Sequence, residues 1–262
     1  MTVPRILVVA GSDSGGGAGI QADIKTITML GGFAATAITA VTVQNTLGVT
    51  GVHPVPPEIV AAQISAVLND IGADVVKLGM LGDADTIMAV AGALADVRAP
   101  IILDPVMVAK GGANLLAPSA HRAMVERLLP MAALVTPNVP ELEALTNARV
   151  HGERDMPEAA RLLLALGAKA VLAKGGHLES ETVTDWLVTP DDVQIFQGSR
   201  IHTRHTHGTG CTLASAIATG VGAGLALPEA IERARQFVRK ALLAAPGFGG
   251  GHGPMGHQAV RL

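Results

Sequence analysis

The 262-residue chain is 49% hydrophobic and only 16% charged, which excludes a disordered chain, and its net charge of −3 gives no basic surface of the kind that binds nucleic acid. A single cysteine excludes an internal disulfide and fits a reducing compartment. No uncharged apolar run reaches membrane-spanning length and no linker divides the chain, so we expect a single cytoplasmic domain over residues 1–262.

Short apolar runs alternate with amphipathic stretches along the whole chain. The runs predict strands over residues 5–10, 35–43, 49–55, 74–78, 100–103, 133–135, 170–173, 182–188 and 193–196. The stretches predict helices that end near residue 30, cover 57–71 and 83–96, begin at caps Ser119 and Asn138, and cover 156–166, 209–224 and 228–244. A loop is expected at residues 110–112, before the helix capped by Ser119.

This alternation is typical of right-handed crossovers, which build an α/β fold with a central, mainly parallel sheet and helices on both faces. Residues 49–55 are predicted to belong to a small flap. In such folds, ligands bind beyond the carboxyl ends of the strands. The residues that follow predicted strands, and are therefore expected on that rim, are Gly11, Gln44, Met80, Asp104, Asn138 and Lys174.

The segment from His207 to Leu213 places two glycines and the cysteine at the start of the helix predicted over 209–224. Glycine lets backbone N–H groups approach a ligand closely, and the helix dipole attracts an anion there. Cys211 lies in the first turn, where a thiol is more readily ionised. Tight packing of small residues around a buried cysteine explains the segment equally well, so other residues must decide.

A glycine-rich loop over residues 11–23 leads into the first predicted helix and mimics a dinucleotide-binding fingerprint at Gly17, Gly19 and Ala22. That fingerprint also needs an acidic residue roughly 20 positions later. Residues 31–57 contain neither Asp nor Glu, which argues against NAD. No Gly-Lys-Ser/Thr sequence occurs, so the chain is not a Walker-type NTPase.

Polar residues near the rim favour one kind of chemistry when they are taken together. Singly, Asp104 and Glu141 are ordinary acids, and Asn138 is a helix cap with Glu141 in the first turn. With Lys174 and an anion-binding helix start, they form a set suited to phosphoryl transfer. That reaction needs positioning, charge neutralisation and Mg²⁺, for which carboxylate and amide oxygens are suitable ligands.

The histidines of the second half offer a different interpretation, as metal ligands. His205 and His207 are spaced like strand neighbours, but no third ligand is evident, which argues against a zinc site. The Gly- and His-rich tail over residues 247–257 is interpreted as a flexible surface loop in preference to a metal site.

Seven segments carry a resemblance to known proteins, and they cover residues 11–25, 38–46, 77–81, 103–107, 136–141, 174–178 and 206–212. In these segments the chain resembles the ribokinase superfamily and, within it, the hydroxymethylpyrimidine/phosphomethylpyrimidine kinases of thiamine biosynthesis. Cys211 closes the Gly-x-Gly signature, at a position where most members of the superfamily carry Asp.

The resemblance implies a ribokinase-like kinase domain that phosphorylates 4-amino-5-hydroxymethyl-2-methylpyrimidine and then its monophosphate. ATP and Mg²⁺ are the implied cofactors, and a homodimer is the implied assembly. Cys211 would be the base, and the amides of Gly208 to Cys211, with Gly210 among them, would bind the transferred phosphoryl group. The residues implied around the pyrimidine are Gln44, Gly11, Asp23, Val43, Met80 and Val106. The residues implied around the nucleotide are Lys174, Asn138 and Thr209, and Lys174 is also an implied catalytic group. The residues implied around Mg²⁺ are Asp104, Glu141 and Asn138.

Two alternatives stay open beside this interpretation. A pyridoxal/pyridoxine kinase shares the scaffold and sometimes the cysteine, although Gln44 in its Gln-Asn-Thr run favours the pyrimidine. A non-catalytic pyrimidine-binding protein on the same fold would not need Cys211 together with Lys174. The sequence departs from the family pattern at two places. Val43 stands where many relatives have Ala, which is expected to reshape the pyrimidine pocket slightly, and Ser14-Gly15 replaces the commoner Pro-Ser, which is expected to make the first loop more mobile.

Overall fold

The structure is a computed structural model and describes residues 2–107 and 118–261. In these ranges the strands are β1 (Arg5–Asp13), β2 (Phe33–Asn45), β3 (Gly48–Pro54), β4 (Val75–Leu78), β5 (Ile101–Leu103), β6 (Ala132–Val135), β7 (Val171–Lys174), β8 (Thr182–Val188) and β9 (Val193–Ser199). The α-helices are α1 (Gly19–Met29), α2 (Pro57–Asp70), α3 (Ala84–Ala93), α4 (Pro118–Ala123), α5 (Val139–Thr146), α6 (Met156–Ala165), α7 (Thr209–Gly222) and α8 (Leu227–Leu243). None of the helices in the described ranges is long and apolar enough to cross a membrane.

The strands form one sheet in the order β3-β2-β1-β4-β5-β6-β7-β8-β9. β1 pairs in parallel with β2 and β4, and parallel pairing continues through β5, β6 and β7. Pairing is antiparallel at both edges of the sheet. β3 pairs with β2 at one edge, and β8 pairs with β7 and β9 with β8 at the other. The predicted mainly parallel sheet is confirmed, and every predicted strand is present.

Apolar side chains pack into two cores, one on each face of the sheet. In β1, Ile6 and Val8 belong to the core shared with α1, α7 and α8, whereas Leu7 and Val9 belong to the core shared with α2 to α6. All four side chains are 0% exposed. A strand covered on both faces has no polar face, which explains why β1 is a continuous apolar run in the sequence.

The flap is the hairpin of β2 and β3, and it extends further than the sequence predicted. The β1–β2 ladder ends at the pair Asp13–Thr42, while the β2–β3 ladder continues to Asn45–Gly48. Gln44 therefore lies within β2, and Gly11 lies within β1, whereas both were predicted to follow strands. Cross-strand hydrogen bonding extends these strands past the point where the apolar pattern ends.

Helix starts are only partly as predicted. α4 begins at Pro118, so Ser119 lies inside the first turn and the prediction that it caps the helix was wrong. Proline suits the first helical position, where a backbone N–H would have no partner inside the helix. The loop predicted at residues 110–112 lies outside the described residues. Asp83 caps α3, since its side chain accepts a hydrogen bond from Thr86 N at 2.8 Å.

The tail over residues 247–257 is exposed at residues 247–250, as a surface loop would be, but Gly253 and residues 255–257 are buried, which the sequence did not predict. His252 N donates to the Thr46 carbonyl on the flap at 2.8 Å, and the His257 ring lies 2.8 Å from Thr212 Oγ1 in α7. Burial lowers the pKa of His257 to about 4, so this ring is neutral at pH 7. Within the described ranges, no three or more His, Cys, Asp or Glu side chains are grouped to hold a metal ion.

Candidate active site

A cavity of about 390 Å³ opens at the carboxyl ends of the parallel strands, beside the start of α7. We call it the first cavity. All residues that the sequence assigned to the site line it, except Asp23 and Val43. The lining members of that set are Gly11, Gln44, Met80, Asp104, Val106, Asn138, Glu141, Lys174, Gly208, Thr209, Gly210 and Cys211.

A second cavity, of about 370 Å³, lies on the other side of the same helix start. Its walls include parts of β8, β9 and α8, with both polar side chains such as Arg235 and apolar ones such as Val238. The residues lining both cavities are Asn138, Lys174, His177, Thr206, Thr209 and Gly210. A group bound at the start of α7 is therefore accessible from both cavities.

The start of α7 brings backbone very close to the glycine-rich loop. Gly208, its N-cap, has φ of 82°, and a Cβ there would overlap the carbonyl oxygen of Gly17, so only glycine fits. Gly208 also offers no side-chain oxygen to the first-turn N–H groups, which suits an anionic ligand. A Cβ at Gly210 would lie 3.3 Å from Lys174 Nζ and 3.5 Å from Asp104 Oδ2, so these two charged groups face the helix start.

Asp104 and Lys174 form a nearly buried ion pair. Lys174 Nζ lies 3.1 Å from Asp104 Oδ1, which also accepts a hydrogen bond from Thr136 Oγ1 at 3.3 Å. Burial alone would lower the pKa of Lys174, but the carboxylates of Asp104 and Glu141 outweigh it and raise the pKa, so the ammonium stays charged. Among the described residues, buried Asp104 Oδ2 has no hydrogen-bond partner. An unpaired buried carboxylate oxygen is costly, which indicates a place for a ligand or a cation.

Asn138 and Glu141 begin α5 with a reciprocal cap, as the sequence predicted. Glu141 N donates to Asn138 Oδ1 at 2.9 Å, and Asn138 N donates to Glu141 Oε2 at 2.8 Å. Asn138 Oδ1 accepts one hydrogen bond in the cap and keeps a second lone pair, so both this oxygen and the amide NH₂ remain available to a ligand. Burial raises the pKa of Glu141 to about 7, with Lys174 opposing the shift and Asp104 adding to it.

The Cys211 thiol is harder to ionise than its place in a helix's first turn predicted. Burial raises its pKa to about 12. The Lys77 ammonium and the Gly19 N–H lower this pKa, while the carboxylates of Asp23 and Asp104 raise it. Loss of water around sulfur thus outweighs the Lys77 ammonium and the Gly19 N–H. The expectation of a readily formed thiolate was wrong for the unliganded site, where the thiol is the resting form at neutral pH.

Asp23 lies beneath the first cavity and does not line it, which corrects its expected place against the pyrimidine. Its carboxylate is 0% exposed, pairs with Lys77 Nζ at 3.0 Å and accepts a hydrogen bond from Ser215 Oγ at 2.6 Å. Burial would lower the pKa of Lys77, but this carboxylate and its neighbours raise it. Since a buried ammonium needs a counter-charge, Asp23 acts on the site through Lys77.

Val43 also lies outside the first cavity, in contrast to its expected role. Its side chain is 64% exposed, while Thr42 and Gln44 on either side of it line the cavity. Successive side chains in a strand point to opposite faces, so a residue between two lining residues faces outward. The Val-for-Ala departure at this position therefore does not reshape the wall of the cavity.

Sequence reasoning missed a contact between Asp13 and His207, both of which line the first cavity. The Asp13 carboxylate accepts hydrogen bonds from His207 Nε2 at 2.9 Å and from the N–H groups of Gly15, Gly17 and Ala18 at 2.8 to 3.0 Å. Burial would raise the pKa of Asp13, but these hydrogen bonds outweigh it and the pKa is lowered. Both residues lie in segments that signalled a site, but nothing in the sequence shows that they meet.

Transfer of a charged group between two bound molecules is the chemistry that this arrangement supports. Preorganised N–H groups and Lys174 can neutralise such a group at the start of α7, which opens to both cavities. Phosphoryl transfer needs this positioning and charge and little covalent chemistry from the protein. The fold and the site together define a kinase that acts on a small molecule.

Comparison with known proteins identifies the family. Residues 13–256 match the phosphomethylpyrimidine kinase family, and the chain belongs to it. The chain is 46% identical to the hydroxymethylpyrimidine/phosphomethylpyrimidine kinase of Haemophilus influenzae, over 98% of this chain and 97% of that protein. It is 53% identical to a thiamine biosynthesis bifunctional protein of Geobacter sulfurreducens, over 96% of this chain and only 52% of that longer protein. The structure of pyridoxal kinase from Bacillus subtilis in complex with ADP has a TM-score of 0.91 and 34% identity, covering 98% of each chain, which confirms the ribokinase-like fold.

Proposed function

We propose that this chain uses ATP and Mg²⁺ to phosphorylate 4-amino-5-hydroxymethyl-2-methylpyrimidine and then its monophosphate, a step of thiamine biosynthesis. The observation that carries the proposal is the start of α7, which both cavities share and which lies against Asp104 and Lys174. The relative from Haemophilus influenzae bears the name of this activity, and the related structure from Bacillus subtilis binds ADP.

The pyrimidine binds in the first cavity in this proposal. Gln44 offers an amide donor and an amide acceptor to the ring edge, while Met80 and Val106 offer apolar contact to the ring faces. Gly11 leaves room for this arrangement, because a Cβ there would lie 2.8 Å from Met80 Cε and push that side chain away.

The nucleotide occupies the second cavity, with its phosphates toward the shared residues Lys174, Asn138 and Thr209. Asp104 and Glu141 fit a Mg²⁺ ion, because a hard cation commonly takes one or two carboxylates together with substrate phosphates and water. The buried Asp104 Oδ2, which is without a partner in the described part of the chain, is a ready ligand. Bound there, the ion would neutralise phosphate charge.

Cys211 acts as the base in its thiolate form. Its sulfur takes the proton of the hydroxymethyl group while the N–H groups of Gly208 to Cys211 bind the transferred phosphoryl oxygens. A thiol whose pKa burial raises to about 12 is seldom ionised at neutral pH, but its thiolate is a strong base toward an alcohol. Lys77 and Gly19 N–H, which lower this pKa, stabilise that thiolate.

We include the homodimer and the cytoplasmic location in the proposal. In the flap, Val41 is 49% and Val43 64% exposed, and the two side chains lie two positions apart on one face of β2. Neighbouring apolar side chains at a surface suit contact with another protein. A single cysteine suits a reducing compartment.

The proposal is tested by offering both candidate alcohols to the purified protein with ATP and Mg²⁺ and measuring ADP release. We expect a higher kcat/KM with the hydroxymethylpyrimidine than with pyridoxal. Pyridoxal is the specific alternative, because a pyridoxal kinase shares this fold at 34% identity. Faster turnover of pyridoxal at low concentration would reverse the assignment. Absence of ADP release with either alcohol would favour the alternative of a non-catalytic pyrimidine-binding protein.

Replacing Gln44 by leucine should weaken pyrimidine binding about 10–100-fold, because two hydrogen bonds of about 1 kcal/mol each are lost. The Kd for ATP should stay within about twofold, since Gln44 lines the first cavity and not the second. Isothermal titration calorimetry with each ligand separately measures both values. Gln194→Leu, an exposed glutamine on β9, is the matched control. Equal weakening of both ligands would show that the pyrimidine site is misplaced.

A further inference from the structure

The His207 ring lies between the Asp13 carboxylate and the Gln44 amide. His207 Nε2 is 2.9 Å from Asp13 Oδ2 and 3.2 Å from Gln44 Nε2, while Gln44 Oε1 is 3.1 Å from Thr42 Oγ1. A half-turn of the amide group exchanges its oxygen and nitrogen without moving other atoms. His207, Asp13 and Thr42 are all less than 9% exposed. Buried polar groups at these distances must have matched donors and acceptors.

The position of one proton follows from Asp13. Three backbone N–H groups and His207 converge on its carboxylate, and this set of donors suits the ionised form. An ionised carboxylate only accepts hydrogen bonds, so His207 Nε2 must carry the hydrogen that faces it. His207 Nε2 then has no free lone pair, so it cannot accept a hydrogen bond from Gln44 and can only share its hydrogen with an acceptor there.

The orientation of the Gln44 amide follows from that proton. A donor at His207 Nε2 requires the amide oxygen, and not the NH₂ group, on the His207 side. The NH₂ group then faces Thr42 Oγ1, which is free to accept because its own hydrogen is donated to the Ser12 carbonyl at 2.9 Å. Every donor meets an acceptor in this orientation, whereas the reversed amide would place an NH₂ group against an N–H group.

We propose that His207 is a positioning residue that fixes the Gln44 amide with its oxygen toward His207, and that it thereby selects a ring bearing an amino group beside a ring nitrogen. The inference rests on the proposed function. One amide hydrogen and one oxygen lone pair remain for the cavity, in a fixed order. An aminopyrimidine edge presents the complementary acceptor and donor, whereas pyridoxal has no amino group beside its ring nitrogen.

The backbone holds the His207 ring in this position. A Cβ at Gly17 would lie 2.6 Å from His207 Cδ2, so glycine leaves the space that the ring occupies. His207 N donates to the Gly253 carbonyl at 3.3 Å, which ties the same residue to the C-terminal tail. The glycine-rich loop, the tail and the start of α7 thus all contribute to the orientation of one amide in β2.

The test compares wild type with His207→Leu and His207→Gln by titration calorimetry, without ATP, using the hydroxymethylpyrimidine and pyridoxal. We expect His207→Leu to raise the Kd for the pyrimidine about 5–10-fold, since one orienting hydrogen bond is lost. The Kd for pyridoxal should change less than twofold. His207→Gln keeps an N–H donor at similar reach and should restore most of the preference. His202→Leu, an exposed histidine outside both cavities, is the matched control.

A double-mutant cycle separates orientation from general damage. In a Gln44→Leu background, His207→Leu should have almost no further effect on pyrimidine binding, because it acts through the missing amide. Additive losses, or equal weakening of both rings, would overturn the inference. Failure of the wild type to bind the pyrimidine would instead overturn the proposed function. Thermal unfolding checks that His207→Leu is folded. If it is not, Gly17→Ala, whose Cβ displaces the His207 ring, takes its place, and unchanged selectivity in Gly17→Ala overturns the inference.

Discussion

Replacing Cys211 by alanine should lower kcat about 10²–10⁴-fold, the usual cost of losing a general base, while the Kd for the pyrimidine stays within about twofold. The sulfur lies in the first turn of α7, among the N–H groups proposed to receive the phosphoryl group. Alanine leaves the glycines of this turn and their N–H groups in place. Only proton removal is lost, so the effect should fall on kcat, measured as ADP release at saturating substrates.

The pH dependence gives an independent check on Cys211. Burial raises the pKa of the thiol to about 12, so the thiolate fraction rises with pH throughout the neutral range. The kcat/KM of the wild type should therefore rise between pH 7.5 and 9.5, and that of Cys211→Ala should not. Cys211→Ser is the control for volume, since a hydroxyl there is a far poorer base. An alanine variant within a few-fold of wild type would show that positioning and charge suffice without the sulfur.

Replacing Lys174 by methionine should lower kcat about 10²–10³-fold, the loss typical of removing one preorganised charge-stabilising group. Lys174 lines both cavities and lies 3.1 Å from Asp104 Oδ1. Methionine keeps a similar length but leaves the transferred group without this positive charge. It also leaves the Asp104 carboxylate without its ion-pair partner, so Mg²⁺ becomes the only proposed cation beside that carboxylate.

A shift in pH dependence should accompany the loss of Lys174. Lys174 lowers the pKa of Glu141, which burial nevertheless raises to about 7. Removing the ammonium raises this pKa further, and the ionised carboxylate that a cation needs then forms only at higher pH. The residual activity of Lys174→Met should therefore have its acid limb displaced to higher pH. Lys169→Met, at an exposed position, is the matched control. An unshifted acid limb would show that the ionisation of Glu141 does not control the activity.

Much of the architecture could be predicted because its signals are local. The apolar run of β1 predicts a strand covered on both faces, and the structure buries it completely. The cap of α5 depends on Asn138 and Glu141, which are three positions apart, and both of its hydrogen bonds are present. Strand ends were less certain, since Gly11 and Gln44 lie within strands that extend beyond their apolar segments.

The candidate site was predicted in outline because parallel strands deliver their carboxyl ends to one edge of the sheet. Met80, Asp104 and Lys174 meet there for that reason. Alternation along β2 turns Val43 outward, which the family resemblance alone did not show. Asp23 matches the same family segment, yet it serves Lys77 beneath the cavity and not the ligand inside it.

The amino-acid sequence by itself determined the strands, most of the helices, the fold class and the family, because these depend on periodicity and on residues a few positions apart. Only the tertiary structure decided how each group in the site behaves. The pKa of Cys211 depends on water excluded by several elements, and on Lys77 and Asp23 from two others. The contact of Asp13 with His207 joins residues 194 positions apart. Burial and charge at a point in space are set by segments that the chain brings together from far along its length.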